Sequence, residues 1–197
     1  MIQKAELADA AQVARLHVEH INQGFLSSLG AGFLTVLYEY LARHEILFVS
    51  TEADKVTGFL SASANTSGMM KRFVWKKFPQ VLPRLGLLLF SPRFIRKVME
   101  TLLAPGKTES STGSPEHLPE LLSIVVLPEY GGGALSGELL AALETELRAS
   151  GHGAYTVVAG ASLVAANAYY RKQGFELAGT IVIHGGETSN VYRKTLG

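Results

Sequence analysis

The chain has 197 residues, 47% of them apolar and 18% charged, with a net charge of +1. This length and apolar content suit one domain with a sizeable core and exclude a disordered chain. The absence of cysteine excludes disulfides, thiolate metal sites and a cysteine nucleophile, and suits a reducing compartment. No apolar run reaches the roughly 18 residues of a spanning helix. The N-terminus "MIQKAELADA" has no apolar h-region of a signal peptide, so the expected setting is cytoplasmic.

In chain order, "MIQKAEL" opens as a short strand and "DAAQVARLHVEHI" comes next as a helix. Asp9 with Gln12 three residues on reads as a capping box, and Ala11, Val13, Leu16 and Val18 are its apolar positions. A second helix spans 30–43, with Phe33, Leu34, Leu37, Tyr38 and Leu41 on one face. "EILFVSTEADKVTGFLSASAN" predicts two strands joined by a polar turn at 52–55.

Residues 66–104 break this rhythm. Positions 71–104 carry eight Lys/Arg and one acid, a local charge of +7 that leaves −6 for the remainder. Prolines at 79 and 83 argue against one long amphipathic helix there. Ser91-Pro92 is expected to cap a helix "RFIRKVMETLL", and 104–117 reads as a mobile Ser/Gly/Pro linker. Order resumes with a strand at about 119–127, a glycine turn, and a helix that ends at Gly151. The strand "AYTVVAG", the helix "SLVAANAYYRKQ" stopped by Gly174, and a hairpin turning at Gly185-Gly186 complete the chain. The second half therefore reads β-α-β-α-β-β, and the whole as α+β with a mixed, mostly antiparallel sheet.

The turn "VVLPEYGGGALSGELL" (125–140) carries chemistry of its own. A helix N-terminus offers free backbone N–H groups and the positive end of a dipole, and glycines let a phosphate approach. Cradle and simple connector are both open on this segment alone. No Lys-Ser/Thr pair comes after the glycines, which excludes a P-loop, and the spacing is not that of a dinucleotide fingerprint.

A second segment, "NAYYRKQGFELAG" (167–179), supplies a tyrosine on a helix and then Gly-Phe at a strand start. Together with the glycine turn about forty residues earlier, it resembles the GNAT family of acyl-CoA-dependent N-acyltransferases. The resemblance covers 118–197 well and 1–65 loosely. Residues 66–117 fall outside it, as a helical insertion plus linker between the third and fourth strands of a single domain, 1–197. It implies a central sheet flanked by helices and splayed between strands four and five.

The glycine turn is similar to the family's acyl-CoA motif, V-x-P-x-x-[RQ]-x-x-G-x-[GA], with departures. Gly131 stands for the usual Arg or Gln, Ala134 for the most characteristic glycine, and Ser136 at the next small position. Gly132 matches a common glycine, and Gly133 and Leu135 complete the expected cradle. The family's pantetheine-binding asparagine falls on Leu163, with Asn167 one turn on as the nearest replacement.

The resemblance implies transfer of an acetyl group from acetyl-CoA to a primary amine of a small molecule or peptide, without a metal. Tyr170 would protonate the leaving thiolate, and a backbone N–H at Val125 or Val126 would polarise the thioester carbonyl. Glu120 would be the general base, and alternation sets it with Leu122 and Ile124 on one strand face. Glu116, His117 and His184 are other candidates for the base, and Tyr169 reads as packing. His17 and His20 lie on the first helix, where family substrates enter, and read as non-catalytic. The opposing reading is a degenerate, non-catalytic module that holds CoA or docks a partner.

The basic stretch 71–104, with Phe73, Trp75, Phe78, Phe90 and Phe94, has four readings. They are a helical cap with solvated bases, a lid favouring an anionic acceptor, a surface resting on anionic lipid, and, last, a nucleic-acid site. Nucleic acid is disfavoured because the rest of the chain is acidic. Pairing with a second copy of the chain stays open.

Overall fold

The structure is a computed structural model and describes residues 1–21, 26–66, 68–85, 118–131, 134–183 and 187–197, with the backbone alone at 78–85, 183 and 187. Seven strands form one sheet in the order β1-β2-β3-β4-β5-β7-β6. They are β1 Ile2–Lys4, β2 Ile46–Glu52, β3 Lys55–Ser63, β4 Glu120–Val126, β5 Ala154–Gly160, β6 Glu176–Ile183 and β7 Glu187–Thr195. All neighbours are antiparallel except the parallel pair β4/β5. The helices are α1 Ala10–His20, α2 Gly30–His44, α3 Met69–Leu85, α4 Ala134–Ala149 and α5 Val164–Lys172. Among the described residues, no helix is long and apolar enough to cross a membrane.

The sheet separates two cores. On one side α1, α2 and α3 bury Val13, Leu16, Phe33, Leu34, Leu37, Tyr38, Leu41 and Phe73 against Val49, Phe59, Val125 and Leu127. On the other, Leu139, Leu140, Leu143 and Leu147 of α4 and Tyr170 of α5 cover Leu60, Leu121, Tyr155, Val157 and Tyr192. The α2 face is the one its 3.6-residue period predicts. On α1 the pattern misleads, because Ala11 is exposed and His17 is buried.

The capping box expected at Asp9 and Gln12 is not formed. Asp9 is helical and its carboxylate accepts the Glu6 N–H at 2.8 Å, so the chain enters α1 through a 3-10 turn, Leu7–Asp9. Gln12 instead clamps the β2–β3 hairpin, donating to Asp54 O and accepting the Val56 N–H, both at 3.1 Å. That hairpin turns through Ala53 (φ 45°) and Asp54 (φ 63°), the left-handed pair that a two-residue loop requires.

Contrary to expectation, α3 runs 17 residues through both Pro79 and Pro83. Each proline forfeits one amide donor but not the whole helix. Its first turns are pinned by Met69 and by Phe73, which meets Phe33 and Tyr40 edge-on at 5.6 and 5.5 Å. The helix expected after Ser91-Pro92, the linker at 104–117 and the turn at 184–186 lie outside the described residues.

Strict alternation also fails on β4. Ser61 pairs with Ser123, but Ala62 pairs with Leu121, so Leu122 is an extra residue on β4. The bulge reverses the facing of the residues beyond it. Leu122 packs with the α1–α3 core, whereas Ile124 packs with the α4 core. Glu120 and Leu122 therefore share a face, and Ile124 does not.

Candidate active site

Two features of the sheet position the site. First, β4 and β5 pair only at Glu120↔Thr156 and Leu121↔Val157, although β4 continues to Val126 and β5 to Gly160. The strands part after two residues, directly past the bulge. Second, the Leu127 N–H is donated to Thr57 O of β3 at 2.9 Å. Successive backbone N–H groups alternate sides. Val125 therefore faces β3, and Val126 and Ile124 turn their backbone groups toward the gap. Gly58 permits this close approach, since a Cβ there would lie 3.0 Å from Val125 O.

The gap leads to the glycine turn. A 3-10 turn, Pro128–Tyr130, succeeds β4 and is tied back to β2 by the Tyr130 hydroxyl, which donates to Glu52. Gly131 closes that turn, donating its N–H to Pro128 O at 3.0 Å. A Cβ at position 131 would sit 2.9 Å from the same carbonyl, so the turn has no room for a side chain. The Arg or Gln of the resembled motif has no place at 131 in this turn. Gly132 and Gly133 lie outside the described residues. Helix α4 begins at Ala134, which is exposed, with Leu135 and Ser136 half-buried in its first turn.

Helix α5 lies on the same side of the sheet. It ends in a left-handed glycine, Gly174 (φ 82°). The Phe175 N–H reaches back to Tyr170 O at 3.0 Å and Gly174 N–H to Arg171 O at 3.0 Å. That reversal folds Phe175 onto Tyr170, ring to ring at 5.4 Å. The spacing Tyr-x-x-x-Gly-Phe is thus a packing unit that fixes the Tyr170 ring. Burial, with a smaller contribution from Tyr169, raises the Tyr170 phenol well above its usual range. It stays protonated at neutral pH and is equipped to donate.

Tyr169, read from sequence as packing, brings a second hydroxyl to this side. Its Oη is buried and faces Ser136 of α4, without a hydrogen bond of normal geometry. Only tertiary structure brings these two residues together. Asn167 is buried and its amide is fully used. It donates to Gly160 O (2.9 Å) and Leu163 O (2.6 Å), and accepts from Asn190 Nδ2 (2.7 Å) and Tyr192 Oη (2.9 Å). An amide has two donors and two lone pairs, so no position is left over.

On the opposite face, Glu120 starts β4 across from Ser63. Burial raises its carboxyl above the ordinary value, partly offset by a hydrogen bond from the Thr66 side chain. Ser63 Oγ donates to Glu45 Oε2 at 2.7 Å, and Arg72 of α3 pairs with Glu45 at 3.5 Å while donating to Asn65 O at 3.0 Å. Under the bulge, His17 Nδ1 and the Tyr38 hydroxyl lie 2.6 Å apart, and Tyr38 also bonds Ser123. Burial holds His17 down at about 4, so it is a neutral core residue. His20 is exposed at the end of α1, and Glu116, His117 and His184 lie outside the described residues.

No protein-family model matches the sequence, and no curated protein matches it significantly. Solved structures do match its shape. An acetyltransferase of the GNAT family from Streptococcus pneumoniae superposes with a TM-score of 0.58 at 17% identity, over 100% of this chain and 99% of that one. Ribosomal-protein-alanine N-acetyltransferase from Brucella melitensis gives 0.60 at 19% identity, over 100% and 99%. The Salmonella typhimurium protein yncA, solved with its cofactor acetyl-CoA, gives 0.60 at 17%, over 100% and 94%. A mixed seven-stranded sheet, parallel only between β4 and β5, which part beyond Leu121, and matched along the full chain by these structures, is the GNAT fold.

Proposed function

We propose that this chain is an acetyltransferase that moves an acetyl group from acetyl-CoA to a primary amine of a small molecule or peptide. The observation that carries this reading is the parting of β4 from β5 just past the bulge, with backbone groups that are unpaired among the described residues leading to the N-terminus of α4. An extended amide-containing arm fits that slot by bonding to the free edge of β4, and its phosphates fit the α4 N-terminus. With Gly131 barred from carrying a side chain and its own N–H spent on Pro128 O, phosphate binding rests on the free backbone N–H groups at the start of α4, assisted by Ser136.

In this reading the residues divide three tasks. Glu120, with its raised carboxyl, accepts the amine proton, directly or through one water. The Val126 N–H, fixed by Gly58 and β3, donates to the carbonyl oxygen as negative charge grows there. A C–N bond forms and the C–S bond breaks. Tyr170 gives its phenolic proton to the departing sulfur, so the products are an amide and a free thiol. Asn167 has a positioning role, locking α5 to the ends of β5 and β7, and is not a cofactor contact.

Titration calorimetry with acetyl-CoA tests the reading first, and saturable binding is expected. The absence of heat at millimolar acetyl-CoA overturns it. Release of free thiol over a panel of primary amines then tests turnover. Binding without turnover on any amine would leave the non-catalytic CoA-binding module instead.

A further inference from the structure

The basic stretch contributes a surface that acetyl transfer does not use. Trp75, the only tryptophan of the chain, is 85% exposed on α3. It lies two residues past Phe73, whose ring is buried, and so projects away from the core. Lys71 and Arg72, one helical turn before it, and Lys76 beside it are all exposed. Among the described residues, no ring or cation contact engages the indole.

The patch is built from two elements. The C-terminus of α2 brings exposed Arg43 and His44 against α3. Burial, then Lys76, Arg43 and Lys77, lower the His44 pKa, with Glu45 opposing them. Lys76, Lys77 and Arg43 thus lie within electrostatic reach of His44. Glu45, whose side chain is 7% exposed, is occupied by Ser63 and Arg72, so it puts little negative charge on the surface.

We propose that this Trp75-centred cationic patch docks the protein on membranes bearing anionic phospholipid. A lysine-flanked indole suits the headgroup layer, where the ring enters the interface and the cations meet phosphate. The charge asymmetry favours a flat surface over a nucleic acid. The chain outside 71–104 carries −6, which repels a polyanion that wraps but not a plane touched at one patch. Among the described residues, one exposed aromatic gives a strand little to stack on. Arg72 joins the patch to Glu45, and Glu45 joins Ser63, the register partner of Glu120. Docking therefore brings the Glu120 end of β4 to the lipid surface.

The full chain is mixed with phosphatidylcholine vesicles with and without phosphatidylserine. The sole tryptophan makes its emission a direct report on this helix. The expected result is co-sedimentation and a blue shift with phosphatidylserine only, reversed by high salt. Lys71→Glu with Lys76→Glu is expected to weaken partitioning at least about tenfold, as each surface cation contributes roughly fivefold. Trp75→Ala is expected to weaken it with an unchanged circular dichroism spectrum and unchanged acetyl-CoA binding. Failure to sediment with anionic vesicles overturns the proposal. So do sedimentation without an emission shift, undiminished binding by Trp75→Ala, and tighter binding to duplex DNA than to vesicles.

Discussion

In the proposed mechanism Glu120 and Tyr170 hold opposite offices, and burial serves both in the same direction. Raising a carboxyl brings it closer to neutral pH, where a general base works best, and raising a phenol keeps its proton available. Tyr170→Phe is expected to lower kcat by about 10²–10⁴-fold with little change in acetyl-CoA affinity, read by steady-state thiol release and calorimetry. Glu120→Gln is expected to lower kcat/KM and to abolish its acid limb, which on the proposed mechanism should lie above the usual carboxylate range in the native protein. Stability moves the other way. A carboxyl raised by folding favours the folded state below its ordinary pKa and loses that contribution as pH rises through the raised value. Glu120→Gln should therefore melt higher than the native protein at neutral pH. The anchoring of the Tyr170 ring was legible in the sequence because the nearby Gly174-Phe175 pair marks the reversal that fixes it. The Tyr169–Ser136 approach was not, since it joins residues of two helices.

At the scale of elements, periodicity and turn chemistry predicted nearly every strand and helix. The misses were local contests decided by neighbours. Gln12 left its expected cap because the β2–β3 hairpin offered it two backbone partners. Leu122 became a bulge because β4 must pair with β3 and also leave β5, and no single-strand pattern shows a one-residue slip. Two substitutions probe this level. Ala53→Gly relieves a left-handed alanine and should stabilise the protein by about 0.5–1 kcal/mol in urea unfolding. Gly131→Gln restores the family's usual side chain, yet its Cβ would meet Pro128 O at 2.9 Å. It is expected to weaken acetyl-CoA binding by calorimetry, where a pure motif argument expects strengthening.

For the whole molecule, the sheet and α1 bury His17 in the α1–α3 core, and this links stability to pH. His17 titrates near 6.5 when unfolded and at about 4 when folded. Between those values the unfolded chain binds the extra proton, so stability falls as pH drops from 6.5 toward 4. The loss is on the order of 2 kcal/mol after allowing for solvent screening. Denaturant titrations at neutral and mildly acidic pH should show it, and His17→Gln, which retains a hydrogen-bonding group near Tyr38, should flatten the slope. By itself the sequence determined the order of the strands, the helices other than α3 and the α+β class, because propensity, period and turn residues act over a few positions. Tertiary structure decided where β4 leaves β5, which of Val125 and Val126 faces the gap, that Asn167 is spent on the protein, and that Arg43, His44 and α3 share one cationic face. Those outcomes depend on strand register and on packing between distant segments, which no local pattern encodes.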